Sequence, residues 1–269
     1  MQDRPLLSVV IPAYNEERRI GDSLRRVLEF LRTFPSPSEV LVVDDGSADR
    51  TVAVVEAIPP STRDPTGARP GGEKSRVRLL RNGVNRGKGY SLKHGVLMAE
   101  GEFVLLSDAD LSTPIDELPR LLEPVARGEA GIAIGSRALD RSRIERRQPG
   151  WREAMGRCFN GIVRVLTGLP FRDTQCGFKL MRRQTVLPLF RAARVERFAY
   201  DVEILYLARK AGIGVIEIPV IWRDAAGSKV NAVIDSLDML KDVLRIVWRD
   251  RRGAYGRLGA PGAGEGAPR

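Results

Sequence analysis

The sequence predicts an α/β fold, a doubly wound and mostly parallel sheet with helices on both faces, in a single domain. Three observations carry that prediction. Five apolar runs alternate with amphipathic segments across residues 6–136, the order that strands and their covering helices take in α/β proteins. The runs are continuously apolar rather than alternating, as suits strands buried on both faces. Acidic residues gather where the runs end, the edge at which open α/β sheets bind ligands. A chain of 269 residues, 43% hydrophobic, is long enough to bury one sizeable core.

The first strand is "LLSVVIP" (6–12), and the helix in "EERRIGDSLRRVLEFLR" follows, with Ile20, Leu24, Val27, Leu28 and Leu31 forming one apolar stripe. "EVLVVDD" (39–45) with "DRTVAVVEA", "RVRLL" (76–80) with "KGYSLKHGVLMAE", and "EFVLLSD" (102–108) with "IDELPRLLEPVAR" repeat the strand–helix order. "AGIAIGS" (130–136) is the fifth strand. Residues 59–75, "PPSTRDPTGARPGGEKS", have loop composition and are expected to be mobile.

The second half is less regular. "WREAMGRCFNGIVRVLTGL" (151–169) reads as a helix with Trp151, Met155, Cys158/Phe159, Ile162 and Val165/Leu166 on one face. "GFKLMRR" and "GIGVIEIPVIW" read as strands, with "AYDVEILYLARKAG" as a helix between them. A last helix spans about 231–249, and residues 251–269 are expected to form a disordered tail.

The formal charge of +10 suits an anionic partner, whether nucleic acid, a membrane surface or a phosphorylated small molecule. No basic patch is interleaved with stacking aromatics, so nucleic acid is not the expected partner. Cys158 and Cys176 form no CxxC pair and read as reduced thiols. The single histidine, His94, rules out a multi-histidine metal site and is expected to be structural or solvent-facing. No apolar run approaches the roughly 18 residues of a membrane span, and the first residues lack the pattern of a signal peptide. The expectation is a cytosolic chain that can lie on a membrane surface without crossing it.

The most informative stretch is "EFVLLSDADLSTP" (102–114), where a buried strand ends in Asp108 and Asp110. Asp, Ser and Pro are ordinary turn residues. However, Tyr14-Asn15-Glu16 and Asp44-Asp45 end two other strands on the same rim, and clustered carboxylates repel unless a cation or a hydrogen-bond-donating ligand sits among them. Two carboxylates one residue apart can place oxygens on a hard divalent cation held for a phosphorylated substrate.

"VVIPAYNEE", "VVDDGSADRT", "NRGKGYSLKHG", "LLSDADLSTP", "IGSR", "RDTQCGFKLMRR" and "GSKVN", in this order, resemble inverting glycosyltransferases of the GT-A fold. Within them the chain resembles the polyprenyl-phosphate sugar synthases, and most of all the dolichyl-phosphate β-glucosyltransferases. The likeness covers roughly residues 6–247, and "DTQCGFKL" is its most discriminating block. It implies a catalytic domain over 1–230, followed by an amphipathic helix over 231–250. It implies transfer of a sugar, usually glucose from UDP-glucose, to a polyprenyl phosphate with inversion, assisted by Mg²⁺ or Mn²⁺ on Asp108 and Asp110. At the position two residues further on, where relatives can supply another ligand, this chain has Ser112, a weaker one.

The same resemblance assigns Pro12, Tyr14, Asn15, Glu16, Asp44 and Asp45 to the nucleoside, although Asn15 and Asp45 also suit helix capping. Lys88, between Gly87 and Gly89, would reach donor phosphate or sugar. Arg137 and Arg152 would grip the acceptor phosphate through the planar guanidinium fork, with Arg157 as a further candidate. Ser228 and Lys229 would form a lid over that phosphate, while Asp173 and Gln175 would hold a loop near the sugar.

A monoalkyl phosphate loses its second proton near pH ~6 and is already a nucleophile at neutral pH, so a general base is not required. Asp201 sits early in a helix, where a carboxylate suits the helix dipole. It becomes a base candidate if the acceptor is instead a soluble hydroxyl. The last helix either packs on the core or, being basic and tipped by Trp248, lies in a membrane interface.

Overall fold

The computed structural model describes residues 4–58, 76–146, 150–224, 232–256 and 258. Seven strands form one sheet: β1 (Leu7–Ala13), β2 (Ser38–Asp44), β3 (Arg76–Arg81), β4 (Phe103–Leu106), β5 (Ile132–Ser136), β7 (Lys179–Arg182) and β8 (Val215–Pro219). A separate two-stranded ribbon pairs β6 (Ile144–Arg146) with β9 (Trp222–Arg223). The helices are α1 (Ile20–Thr33), α2 (Thr51–Glu56), α3 (Lys88–Met98), α4 (Leu118–Ala126), α5 (Gly150–Thr167), α6 (Arg183–Ala192), α7 (Tyr200–Lys210) and α8 (Ala232–Arg251).

The strand order is β3-β2-β1-β4-β7-β5-β8, and only β7 runs antiparallel to its neighbours. Successive side chains of a strand point to opposite faces, so the continuous apolar runs fill two cores. Val9, Ile11, Val40 and Val42 meet α1 and α4 on one face. Val10, Leu41, Val43 and Val104 meet α3, α5, α6, α7 and α8 on the other. The stripe expected on α1 is buried in full.

Besides adding β6, which the sequence pattern does not mark, the structure departs from the expected elements in four places. α6 has no clear signal in the sequence, because Pro188 interrupts a short segment whose Val186, Leu189 and Phe190 are nevertheless buried. "GIGVIEIPVIW" is two strands, since Pro219 has no N–H for the ladder and the chain then pairs with β6. The apolar face expected on α5 is split, with Phe159 buried and Leu166 packed against the core. Val163, off that face, is buried beside them, while Trp151, Ile162 and Val165 remain exposed.

The fourth departure is in the expected tail, whose first residues are ordered. Tyr255 is buried, its hydroxyl donating to Glu203 at 2.6 Å. The other Glu203 oxygen accepts the N–H groups of Arg194 and Val195 at 2.9 and 2.8 Å. The loop at 59–75 and the tail beyond 258 lie outside the described residues.

Candidate active site

The site forms where the parallel strands end. β1 pairs Val10 with Leu106, so β4 stops while residues 11–13 of β1 continue beside β2. The Ser107 N–H makes a last bond to Val10 O at 3.0 Å, after which the chain turns across the rim. Leu111 completes the turn at φ +48°, a left-handed conformation that costs a side chain about 1–3 kcal/mol and persists where its surroundings impose it. The turn delivers Asp108 and Asp110 into a cavity of about 490 Å³.

The two carboxylates differ in their surroundings. Burial opposes ionisation of Asp108, but Lys88, with Lys179 and Arg137 behind it, holds its carboxyl below the usual range. Lys88 Nζ lies 2.5 Å from Asp108 Oδ1. Burial and the neighbouring Asp108 charge push Asp110 upwards. Asp110 Oδ1 accepts the Ser112 N–H and hydroxyl at 3.0 and 2.9 Å, and Arg19 lies 3.8 Å from Oδ2.

Gly177 backs the pair: a Cβ there would lie 2.2 Å from Asp108 Oδ2, so only glycine lets the carboxylate take its place. Two repelling oxygen donors in one cavity fit a hard divalent cation that shares a ligand's phosphates. Among the described residues no group of three or more acidic, His or Cys side chains could hold a metal alone. The remaining positions would therefore come from the ligand and water. Ser112 turns its hydroxyl to Asp110 instead.

Pro12, Tyr14, Glu16 and Asp45 line the same cavity, and Tyr14 is 40% exposed at its mouth. Asp45 fastens the next loop, accepting from the Arg86 and Gly87 N–H groups at 3.0 and 2.7 Å and from Asn82 at 2.8 Å. Asn82 in turn meets His94 Nδ1 at 2.9 Å, which makes the histidine structural.

Two of the expected nucleoside contacts fall outside the cavity lining. The Asp44 carboxylate accepts the N–H groups of Gly46 and Ser47 in its own turn. Asn15 Oδ1 accepts those of Ala48 and Asp49, which ties two strand ends together. The close approach that Gly87 and Gly89 permit is made by the protein's own loop. Cβ atoms there would meet Glu196 O at 2.6 Å and Val195 O at 2.7 Å.

A second cavity, about 340 Å³, adjoins the first and shares Arg137, Gln175 and Trp222 with it. Arg137 donates through Nε and Nη2 to both oxygens of Asp173, at 2.7 and 2.8 Å. The guanidinium has five N–H donors, so three remain for a ligand. Burial opposes ionisation of Asp173, but Arg137 overcomes it and brings the carboxyl down to about 2. Asp173 is fixed in turn by Glu217, which accepts the Asp173 N–H at 2.8 Å and the Ser136 hydroxyl at 2.7 Å. Arg141, Arg157 and Arg172 line the same cavity, and Arg157 has no carboxylate partner among the described residues.

Arg152 lies in α5, but its side chain is outside what is described, as are Ser228 and Lys229. Asp201 requires a correction. It is only 4% exposed and lines neither cavity. It pairs with buried Lys179 at 2.5 Å because α7 places it behind the sheet end rather than at the rim.

Several cavity residues escaped the sequence reading: Arg19, Gly177, Arg197, Phe198, Trp222 and Asp224. The "GF" after "DTQC" was a signal for Gly177, and Trp222 ends a predicted strand. Arg197 and Phe198 lie in a loop with no pattern of its own.

Comparison with known proteins accords with this geometry. The family model described as "Glycosyl transferase family 2" matches residues 8–188. A dolichyl-phosphate beta-glucosyltransferase of Drosophila melanogaster is 39% identical over 269 residues, spanning 95% of this chain and 79% of that protein. Its namesake in Dictyostelium discoideum is 35% identical over 256 residues, 92% and 75% of the two chains. Among solved structures, glucosyl-3-phosphoglycerate synthase from Mycobacterium tuberculosis, in complex with Mn²⁺, UDP and glucosyl-3-phosphoglycerate, superposes with a TM-score of 0.62. That match has 20% identity and covers 93% of this chain and 80% of that one, a likeness of fold. The chain is thus a glycosyltransferase with the GT-A fold and belongs to glycosyl transferase family 2.

Proposed function

We propose that the chain transfers glucose from UDP-glucose to a dolichyl-type polyprenyl phosphate, with inversion at the anomeric carbon. One observation carries the reading: Asp108 and Asp110 open into a cavity that continues past Arg137 into a second, arginine-lined one. A diphosphate leaving group and a phosphate nucleophile each meet compensating charge on such a path. The names of the curated relatives support the acceptor and the sugar. The UDP and Mn²⁺ bound to the structural neighbour support the donor and the metal.

Tyr14 offers its ring to the base, while Asp45 holds the 86–87 backbone beside it. Mg²⁺ or Mn²⁺ on Asp108 and Asp110 would neutralise the diphosphate as it departs. Lys88 supplies a cation beside the same oxygens. Arg137, oriented by Asp173, points its remaining donors at the acceptor phosphate, with Arg157 across the second cavity. The dianionic phosphate oxygen attacks the anomeric carbon as the bond to UDP breaks on the opposite face, so no proton need be removed. A soluble hydroxyl acceptor would need a base, and Asp201 is not in the cavity to serve as one.

The test is incubation with UDP-glucose, Mn²⁺ or Mg²⁺ and a short polyprenyl phosphate. The expected product is a β-linked glucosyl lipid. Absence of any glycolipid, with every common nucleotide sugar tried, overturns the proposal.

A further inference from the structure

Trp222 is a buried aromatic outside both cores. It is only 9% exposed, yet it joins neither of the apolar clusters that flank the sheet. It forms a wall of the two cavities instead. Among the described residues only Arg137, Gln175 and Trp222 line both of them. The Arg137 guanidinium carbon lies 5.5 Å from the centre of the Trp222 ring. A large aromatic buried against cavities rather than core marks a place where a ligand supplies the missing contact.

The backbone around Trp222 is tied to both sides of the site. Where the chain leaves the sheet after Pro219, the Val220 N–H donates to Ser136 O at 3.2 Å, next to Arg137. The Arg223 N–H donates to Ser112 O at 2.8 Å, which joins β9 to the turn that carries Asp110. The Asp224 N–H donates to Arg146 O of β6 at 3.1 Å, and Ile144 of β6, opposite Trp222, lines the second cavity. Neighbours along a strand point to opposite sides, so Arg223 reaches out to Glu145 at 2.5 Å while Trp222 faces in.

We infer that Trp222 is the platform on which the transferred sugar rests. This deepens the reading of the site as a UDP-glucose transferase and rests on it. In an inverting displacement the attacking and leaving oxygens take opposite faces of the anomeric carbon. With the diphosphate at Asp108 and Asp110 and the acceptor phosphate at Arg137, the sugar ring occupies the neck where the cavities meet. Of the three residues at that neck, Arg137 is held by Asp173 and Gln175 donates to Met239 Sδ at 3.6 Å. Trp222 supplies the one apolar surface. Glucose carries its ring hydroxyls equatorially, so its faces are lined with C–H groups. An indole covers such a face without burying an unpaired hydroxyl. The contact fixes the tilt of the ring and thus the line along which the phosphate approaches.

The test measures binding of UDP and of UDP-glucose to the full chain by calorimetry, with Mn²⁺ and without acceptor. Wild type is compared with Trp222→Phe, which keeps an aromatic face, and Trp222→Leu, which keeps only apolar bulk. Trp222→Leu should bind UDP-glucose about tenfold more weakly and UDP within about twofold of wild type, while Trp222→Phe stays within about threefold for both. Equal losses for UDP and UDP-glucose assign Trp222 to holding the Asp110 turn and overturn the inference. Unchanged affinities, or the same loss in both variants, overturn it too, even if transfer is observed. Wild type that binds another nucleotide sugar but not UDP-glucose removes glucose from the proposed function alone. The same comparison, between that sugar donor and its nucleoside diphosphate, then decides the role of Trp222. A selective loss of UDP-glucose in Trp222→Leu, without transfer to any polyprenyl phosphate, supports the platform and removes the proposed acceptor instead.

Discussion

Asp110 shows how one side chain can favour ligand binding over stability. Its folded-state pKa is raised by burial and by Asp108, so the ionised form weakens the ligand-free fold at neutral pH. Asp110→Asn is expected to raise Tm by about 2 °C while lowering turnover by at least about 100-fold. Calorimetry and a transfer assay on one preparation check both. Asp173 behaves oppositely. Its pKa is depressed to about 2, so its stabilising contribution is full above the unfolded value near 3.8 and disappears as pH falls through 2. Asp173→Asn should therefore cost about 2 kcal/mol at neutral pH, and denaturant titrations should show the gap closing below pH 4. The variant should also raise KM for the acceptor more than for the donor, because Arg137 loses its orientation. Both acidic positions were visible in the sequence, the first as a metal candidate and the second as a loop residue. Which carboxylate would be repelled and which paired was not visible, since Arg137 and Asp173 are 36 residues apart.

Among the elements, the turn after α8 has a clear structural task. Tyr255 and the two N–H groups of the 194–195 backbone share the buried Glu203 carboxylate. The loop they hold runs on to Arg197 and Phe198 in the cavity that holds Asp108 and Asp110. Tyr255→Phe leaves a buried carboxylate oxygen without its donor and should cost about 2 kcal/mol. Hydrogen exchange should rise first over residues 194–198, and uniform protection there would refute the link. Composition pointed to a disordered tail at this place, because Gly, Arg and Ala flank a single aromatic whose pocket lies on distant α7. Pro188 interrupts the apolar pattern of α6, whereas the apolar run of "GIGVIEIPVIW" continues past Pro219 and reads as one strand; only the tertiary structure supplies the first burial pattern and separates β8 from β9.

For the whole molecule, binding linkage gives the most direct check on the donor. UDP-glucose with Mn²⁺ should stabilise the fold by about 2.7 kcal/mol at a hundredfold excess over Kd, by mass action. UDP-glucose alone should do markedly less, because Asp108 and Asp110 then repel the diphosphate they are meant to hold. A thermal-shift series over nucleotide sugars, with and without Mn²⁺, measures this. Equal shifts in both arms would remove the metal from donor binding.

By itself the sequence determined the alternating strand–helix frame and the rim on which its polar residues meet, because both follow from local periodicity and parallel topology. Together with the family resemblance it also singled out Pro12, Tyr14, Glu16, Asp45, Lys88, Asp108, Asp110 and Arg137, which the structure brings to one cavity. Tertiary structure alone decided that Asp44 and Asn15 serve their own turns and that Asp201 lies behind the site with Lys179. It alone decided which stripe of α5 is buried. Those outcomes depend on which groups distant elements bring within hydrogen-bonding or packing distance, and residue spacing along the chain does not encode that.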